Sequence, residues 1–155
     1  MVPTKLEEWT IPALEALLAQ GYYEPEVFDY KEMLPYPNDK DGKRRLVKAC
    51  CAFANSSGGF LVFGIHDDKS KAPADRIIGI DPSIDFPVQF GNYPTKCSPT
   101  VSWEFLNPPL SLVNGNKVHV IFIPRSWSAP HCFEDPERAG WLSFAKRTNK
   151  GDEVD

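Results

Sequence analysis

The sequence predicts a soluble globular domain that mixes α-helices with β-strands. Its 155 residues are enough for one domain with a substantial hydrophobic core. Hydrophobic residues make up 42% of the chain and charged residues 25%, a balance typical of globular proteins. Stretches with apolar residues at helical spacing alternate with short runs of strand-forming residues. We therefore treat residues 1–155 as a single domain, or as a fragment of a longer protein.

Two helices and two strands are predicted in the first half of the chain. Apolar residues recur at helical spacing over residues 6–20 and again over residues 42–54. Strand-forming residues predict a strand over residues 26–31. Residues 60–65 are apolar apart from one glycine, which indicates a central strand covered on both faces.

Strands are also predicted in the second half. Residues 101–107 and 117–124 read as a strand pair joined by a turn at Asn114-Gly115. Residues 76–81 and 140–147 are predicted as further strands. The remaining stretches are predicted as a proline-rich loop with at most a helical turn at 82–99 and a polar tail at 149–155.

Charge and hydropathy limit the partners of the chain. A net charge of −4 argues against a basic coat for nucleic acid, although a local patch is compatible with it. Two basic clusters lie at 40–48 and 146–150, and either is also consistent with an ordinary solvated face. No apolar run suits a membrane span, and the acidic N-terminus does not match a signal peptide, so we expect a cytoplasmic protein without membrane contact.

Cysteines and glycines offer two weaker possibilities. Cys50 and Cys51 are expected in a helix core, and a zinc site that combines them with His131 and Cys132 is the alternative. Residues 55–59 predict a helix end and a tight turn before the central strand, with a phosphate cradle as the alternative.

Carboxylates surround the two N-terminal strands. Glu24 lies before the first strand, Asp29 lies within it, and Asp67 and Asp68 follow the central strand. Carboxylates that converge from two strands can bind a divalent cation. Asp29 has an alternative partner, because Lys31 lies two residues further on the same face and can form an ion pair with it.

Two motifs resemble the Schlafen AlbA-like domain family. Residues 52–68, "AFANSSGGFLVFGIHDD", resemble its hallmark Ala-Phe-Ala-Asn-x-x-Gly-Gly-x-Leu-x-x-Gly-Val-x-Asp. "EPEVFDYK" resembles its upstream Glu-Ser-x-x-x-Glu-Phe-Lys element, with Pro25 replacing the serine and Asp29 the second glutamate. The resemblance spans roughly residues 6–151. It implies an α+β fold, a single lobe in which helices pack on a mixed β-sheet.

The resemblance also implies a function in nucleic-acid binding. Some Schlafen proteins are metal-dependent endoribonucleases that cut transfer RNA with three carboxylates, which align with Glu24, Asp29 and Asp67. On this basis we expect Mg²⁺ or Mn²⁺, no ATP, and a structured RNA substrate such as tRNA. The alternatives are a non-catalytic DNA- or RNA-binding module of a larger regulator, and a protein-interaction or dimerisation domain. The nucleic-acid contacts are predicted at Lys31, Lys43, Arg44, Arg45, Lys48, Lys146, Arg147 and Lys150. Active relatives pair two lobes, so a homodimer is expected.

Overall fold

A computed structural model of the chain describes residues 2–21, 27–135, 141–148 and 151–154. The helices are α1 (Ile11–Ala19), α2 (Lys40–Ala54), α3 (Pro73–Arg76) and α4 (Phe86–Phe90), with 3-10 turns at Leu6–Glu8 and Pro94–Lys96. The strands are β1 (Phe28–Lys31), β2 (Gly58–Phe63), β3 (Glu104–Phe105), β4 (Leu110–Ser111), β5 (Lys117–Pro124), β6 (Cys132–Asp135), β7 (Trp141–Thr148) and β8 (Gly151–Val154). Within these ranges no helix has the length and apolar character to cross a bilayer.

The strands form one mixed sheet and one small antiparallel sheet. In the larger sheet the order is β1-β2-β5-β3, and β4 also pairs with β5. β1 runs parallel to β2, whereas β5 is antiparallel to β2, β3 and β4. The second sheet has the order β6-β7-β8. The predicted α+β class with a mixed sheet is confirmed.

Hydrophobic clusters cover both faces of the larger sheet. On one face Leu61 and Phe63 of β2 pack with residues of α2 and α4 and of the second sheet. On the other face Phe60 and Val62 pack with Trp9 and with the apolar side of α1. All six residues of β2 are buried, so the prediction of a central strand covered on both sides is confirmed.

Both predicted helices are present, and a capping side chain sets the start of each one. α1 begins at Ile11 rather than Leu6, because the Thr10 hydroxyl accepts a hydrogen bond from the Ala13 N–H at 3.2 Å. α2 begins earlier than predicted, at Lys40, because the Asp39 carboxylate accepts from the Gly42 N–H at 2.9 Å.

Several predictions for the second half of the chain need correction. The polar segment predicted as a tail contains β8, which pairs antiparallel with β7, and β6 was not predicted. The turn at Asn114-Gly115 joins β5 to β4 rather than to the strand of residues 101–107. Residues 76–81 make only isolated bridges, at Ile77 and Ile80. Such short elements depend on pairing with distant strands, which leaves no periodic pattern in the local sequence.

Candidate functional site

Cationic side chains from two parts of the chain line one cleft beside α2. The cleft encloses about 580 Å³ and is lined by Lys40, Lys43, Arg44, Val47, Lys96 and Glu134. We call its four cationic members, Lys40, Lys43, Arg44 and Lys96, the α2 patch. Among the described residues that line the cleft, Glu134 is the only carboxylate, so this lining carries a net positive charge.

The position of the patch at the start of α2 strengthens this positive charge. The N-terminal end of a helix carries a partial positive charge from its aligned peptide dipoles. The Lys43 ammonium group also donates a hydrogen bond to the Pro37 carbonyl at 2.6 Å.

Lys43 and Arg44 belong to the predicted set, whereas Lys40 and Lys96 do not. Lys96 reaches the cleft only through tertiary packing of its 3-10 turn, for which the sequence gives no signal.

Arg147, predicted to contact nucleic acid, is instead buried, with only 3% of its side chain exposed. Its guanidinium group bonds to the Asp152 carboxylate at 2.8 Å and lies 4.8 Å from the centre of the Phe53 ring. Its backbone N–H donates to the Ser56 hydroxyl at 2.7 Å. These contacts tie β7 to β8 and to the end of α2. Arg147 therefore stabilises the fold and is not exposed for contact with nucleic acid.

The other predicted cations lie in separate places. Arg45 is exposed on α2 and lines a different cleft together with Lys31. Lys48 is partly buried on α2, and Lys146 is exposed on β7. Lys150 lies outside the described residues. The α2 patch thus contains two of the eight predicted residues, Lys43 and Arg44.

Asp29 is held by two cationic groups. Its carboxylate lies 3.7 Å from the Lys31 ammonium group and 3.7 Å from the Arg147 guanidinium group. The ion pair with Lys31 was predicted from the sequence and is confirmed. The contact with Arg147 was not predicted, because it joins β1 to a strand more than a hundred residues away. Only 22% of the Asp29 side chain is exposed, so its charge is compensated mainly by these neighbours.

Asp67 is exposed beyond the end of β2. In the strand register Asp29 lies opposite Leu61 of β2. Asp67 lies six residues further along the chain than Leu61 (67 − 61), so it is not level with Asp29 in the sheet. The residues that do meet at this sheet edge are Glu32 and His66, whose side chains approach to 3.6 Å. Glu32 follows β1 directly and His66 lies three residues after the end of β2, at the edge where these parallel strands end together.

The described carboxylates do not fit a divalent cation as they stand. The described residues include no group of three His, Cys, Asp or Glu side chains that could hold a metal ion. A cation at Asp29 would compete with Lys31 and Arg147 for the same oxygens. Glu24, the third member of the predicted set, lies outside the described residues. We therefore derive no catalytic step through a metal.

The cysteines and His131 are engaged in the interior. The Cys51 and Cys97 sulfurs are 2.7 Å apart, and all four cysteines are buried. Burial raises the pKa of Cys50 well above its usual value, so this thiol stays protonated and is a poor metal ligand. The two ring nitrogens of His131 bond to the Pro99 carbonyl and the Ser126 hydroxyl. These contacts give the alternative of a zinc site no support.

The Asn-Ser-Ser-Gly-Gly turn is a packing junction. Asn55 donates to the carbonyls of His131 and Ala145 at 2.8 Å each, and its side-chain oxygen accepts from the His131 N–H at 2.6 Å. Gly58 adopts a φ of +77°, which favours glycine. A Cβ on Gly59 would clash with the Phe53 ring. The turn therefore serves close packing, as the helix-to-strand prediction requires.

The chain thus combines an α+β fold with a cationic cleft at the start of a helix. The profile of the family described as Schlafen, AlbA_2 matches residues 24–153, and the chain belongs to this family. Membership indicates a nucleic-acid-related function. Among curated proteins, none matches the chain.

A solved structure shares the fold. The crystal structure of the DIP2311 protein from Corynebacterium diphtheriae aligns with a TM-score of 0.51 at 18% sequence identity. The alignment covers 96% of this chain but only 27% of the DIP2311 chain. At this identity the likeness concerns the fold alone, and the chain corresponds to about a quarter of that longer protein.

Proposed function

We propose that this chain is a nucleic-acid-binding module that holds RNA by its phosphate backbone at the α2 patch. The observation that carries the proposal is the convergence of four cationic side chains on one cleft in a chain of net charge −4. Among the described residues of the cleft lining, Glu134 contributes one carboxylate against four cations. A nucleic-acid backbone supplies closely spaced anions that would neutralise the rest.

Binding without catalysis is favoured by the surroundings of Asp29. A carboxylate that already contacts Lys31 and Arg147 serves the fold, since these two cations compensate a charge that is largely buried. In the α2 patch, the Lys43 ammonium group donates to the Pro37 carbonyl, and the cationic side chains line an open cleft rather than a closed ion-pair network around a carboxylate. The fold thus supports phosphate contacts more directly than metal chemistry.

The salt dependence of RNA binding tests this proposal. We expect each of the variants Lys40→Gln, Arg44→Gln and Lys96→Gln to weaken binding of a labelled RNA hairpin. Each should also lower the slope of log affinity against log salt by about one, because one phosphate contact is lost. Fluorescence anisotropy at several salt concentrations measures both quantities.

Lys69→Gln is the matched control, since Lys69 is exposed and does not line the cleft. The proposal fails if the patch variants and the control give the same slope as the wild type.

Metal-dependent RNA cleavage is the second candidate, favoured by the exposure of Asp67 at the sheet edge where β1 and β2 end. It would use Glu24, Asp29 and Asp67 with Mg²⁺ or Mn²⁺, and a homodimer would supply a second lobe. Under our main proposal, tRNA incubated with the protein stays intact with Mn²⁺ and with EDTA. Fragments that need Mn²⁺ and vanish in Asp67→Asn would establish the nuclease instead, and sedimentation of the same samples reports whether the chain dimerises.

A further inference from the structure

Two cavities flank the loop that follows β1. Residues 32–36 line both of them, so this loop forms a shared wall. The first encloses about 320 Å³ and is called here the Tyr36 cavity. The second encloses about 310 Å³, includes Lys31 and Arg45, and is called the Arg45 cleft.

The Tyr36 cavity has the size and the surfaces that a nucleobase needs. Tyr36, Ile84 and Phe86 contribute aromatic and aliphatic walls. Tyr36 is 62% exposed and Ile84 is 40% exposed, so both present apolar surface to an incoming ligand rather than to the core. A cavity of this volume is at the small end of ligand sites and can hold one flat ring system. Stacking on an aromatic side chain is the usual way in which proteins hold single-stranded bases.

Polar groups at the same cavity include two carboxylates and the Gln89 amide, which can both donate and accept. Glu32 and Asp81 both line it. The Ser83 N–H donates to the Asp81 carboxylate at 2.9 Å, and bonds from Ser83 lower the pKa of Asp81. An ionised carboxylate only accepts hydrogen bonds, so it accepts from the exocyclic amino groups of cytosine or adenine, whereas uracil offers it the single ring N3–H between two carbonyls with which it cannot pair.

The Arg45 cleft supplies the complementary charge for a phosphate. Arg45 is exposed, and Lys31 lies on the same cleft. Arg45 follows Arg44 of the α2 patch along α2 and projects about 100° from it around the helix axis, so the cleft and the proposed backbone contact surface lie on neighbouring sides of the same helix. A strand that crosses α2 would therefore meet cations first and the acidic, apolar cavity next. Glu32 and Asp39 also line the cleft; the Asp39 carboxylate accepts from the Gly42 N–H, and the Glu32 carboxylate lies 3.6 Å from the His66 ring.

We infer that an unpaired, amino-bearing base of a single-stranded RNA enters the Tyr36 cavity while its adjoining phosphate lies at Arg45 and Lys31. The inference rests on the proposed function and deepens it, because it specifies unpaired RNA and a preference among bases. A duplex cannot bind in this way, since its bases are stacked and paired inside the helix.

Anisotropy titrations test the inference. The labelled probes are oligo(rC), oligo(rA) and oligo(rU) of about 12 nucleotides, together with a blunt RNA duplex. We expect oligo(rC) and oligo(rA) to bind the wild type at least about fivefold more tightly than oligo(rU). Tyr36→Ala should weaken oligo(rC) binding by about tenfold through the loss of a stack. Asp81→Asn should bring oligo(rC) and oligo(rU) close together, and it retains the acceptor for Ser83.

Trp127→Ala is the matched control, because Trp127 is an aromatic residue that is 95% exposed and lines neither cavity. It should bind every probe as the wild type does. The inference is overturned if Tyr36→Ala binds oligo(rC) with wild-type affinity, or if the duplex binds as tightly as oligo(rC). The proposed function still holds in that case if the α2 patch variants reduce the salt slope of duplex binding. If the wild type binds no probe, both are overturned.

Discussion

His119 is a half-buried residue of β5 whose chemistry depends on its neighbours. Its ring stacks on Phe86, with ring centres 4.1 Å apart and an angle of 10° between the planes. Burial, aided by the positive charge of Lys117, lowers the pKa of His119 to about 4. The imidazole is therefore neutral at physiological pH and acts as an aromatic wall rather than as a proton carrier.

This lowered pKa predicts an acid-sensitive fold. An unfolded histidine titrates near pH 6.5, so between about pH 6.5 and about pH 4 the unfolded chain binds more protons than the folded one. The contribution of His119 to the free energy of unfolding should fall as the pH drops through this window. His119→Phe keeps a ring against Phe86 and removes the titration. Urea unfolding at about pH 7.5 and about pH 5 should show a larger loss for the wild type than for the variant, and equal losses would refute the assignment.

At the scale of elements, the sequence predicts the helices and strands whose own residues show a clear hydrophobic pattern. α2 and β2 have helical spacing and a continuous apolar run, and the structure contains both. β6 and β8 are four residues each and exist because β7 lies between them. Their formation depends on pairing at long range, which a local pattern does not encode.

The same distinction applies to the candidate site. Lys43 and Arg44 could be predicted, because a basic cluster on a helix is a local feature. Packing between distant elements places Lys96 in the same cleft and buries Arg147, which was predicted to be exposed. The local sequence does not show whether a long cationic side chain is exposed, whereas in the fold a guanidinium group over a ring and beside two carboxylates is compensated well enough to be buried.

At the scale of the whole molecule, α2 links the larger sheet to the second sheet, and its two ends have different tasks. The α2 patch lies at the N-terminal end. Asn55, at the C-terminal end, bonds to residues at β6 and in β7. From Arg44 to Asn55 is eleven residues, or roughly 16 Å along a helix. Stability of the junction and affinity for phosphate should therefore respond to different substitutions.

Asn55→Asp is expected to destabilise the fold while leaving the salt slope of RNA binding unchanged. The carboxylate keeps the acceptor for the His131 N–H but cannot donate to the carbonyls of His131 and Ala145, which lose their partner. The cost should be about 2 kcal/mol in the free energy of unfolding, measured with urea. Ser57→Ala is the control in the same turn, where an exposed side chain should cost less than about 0.5 kcal/mol. If Asn55→Asp instead keeps full stability and flattens the salt slope, the turn belongs to the RNA interface, and the division of tasks between the two ends of α2 is wrong.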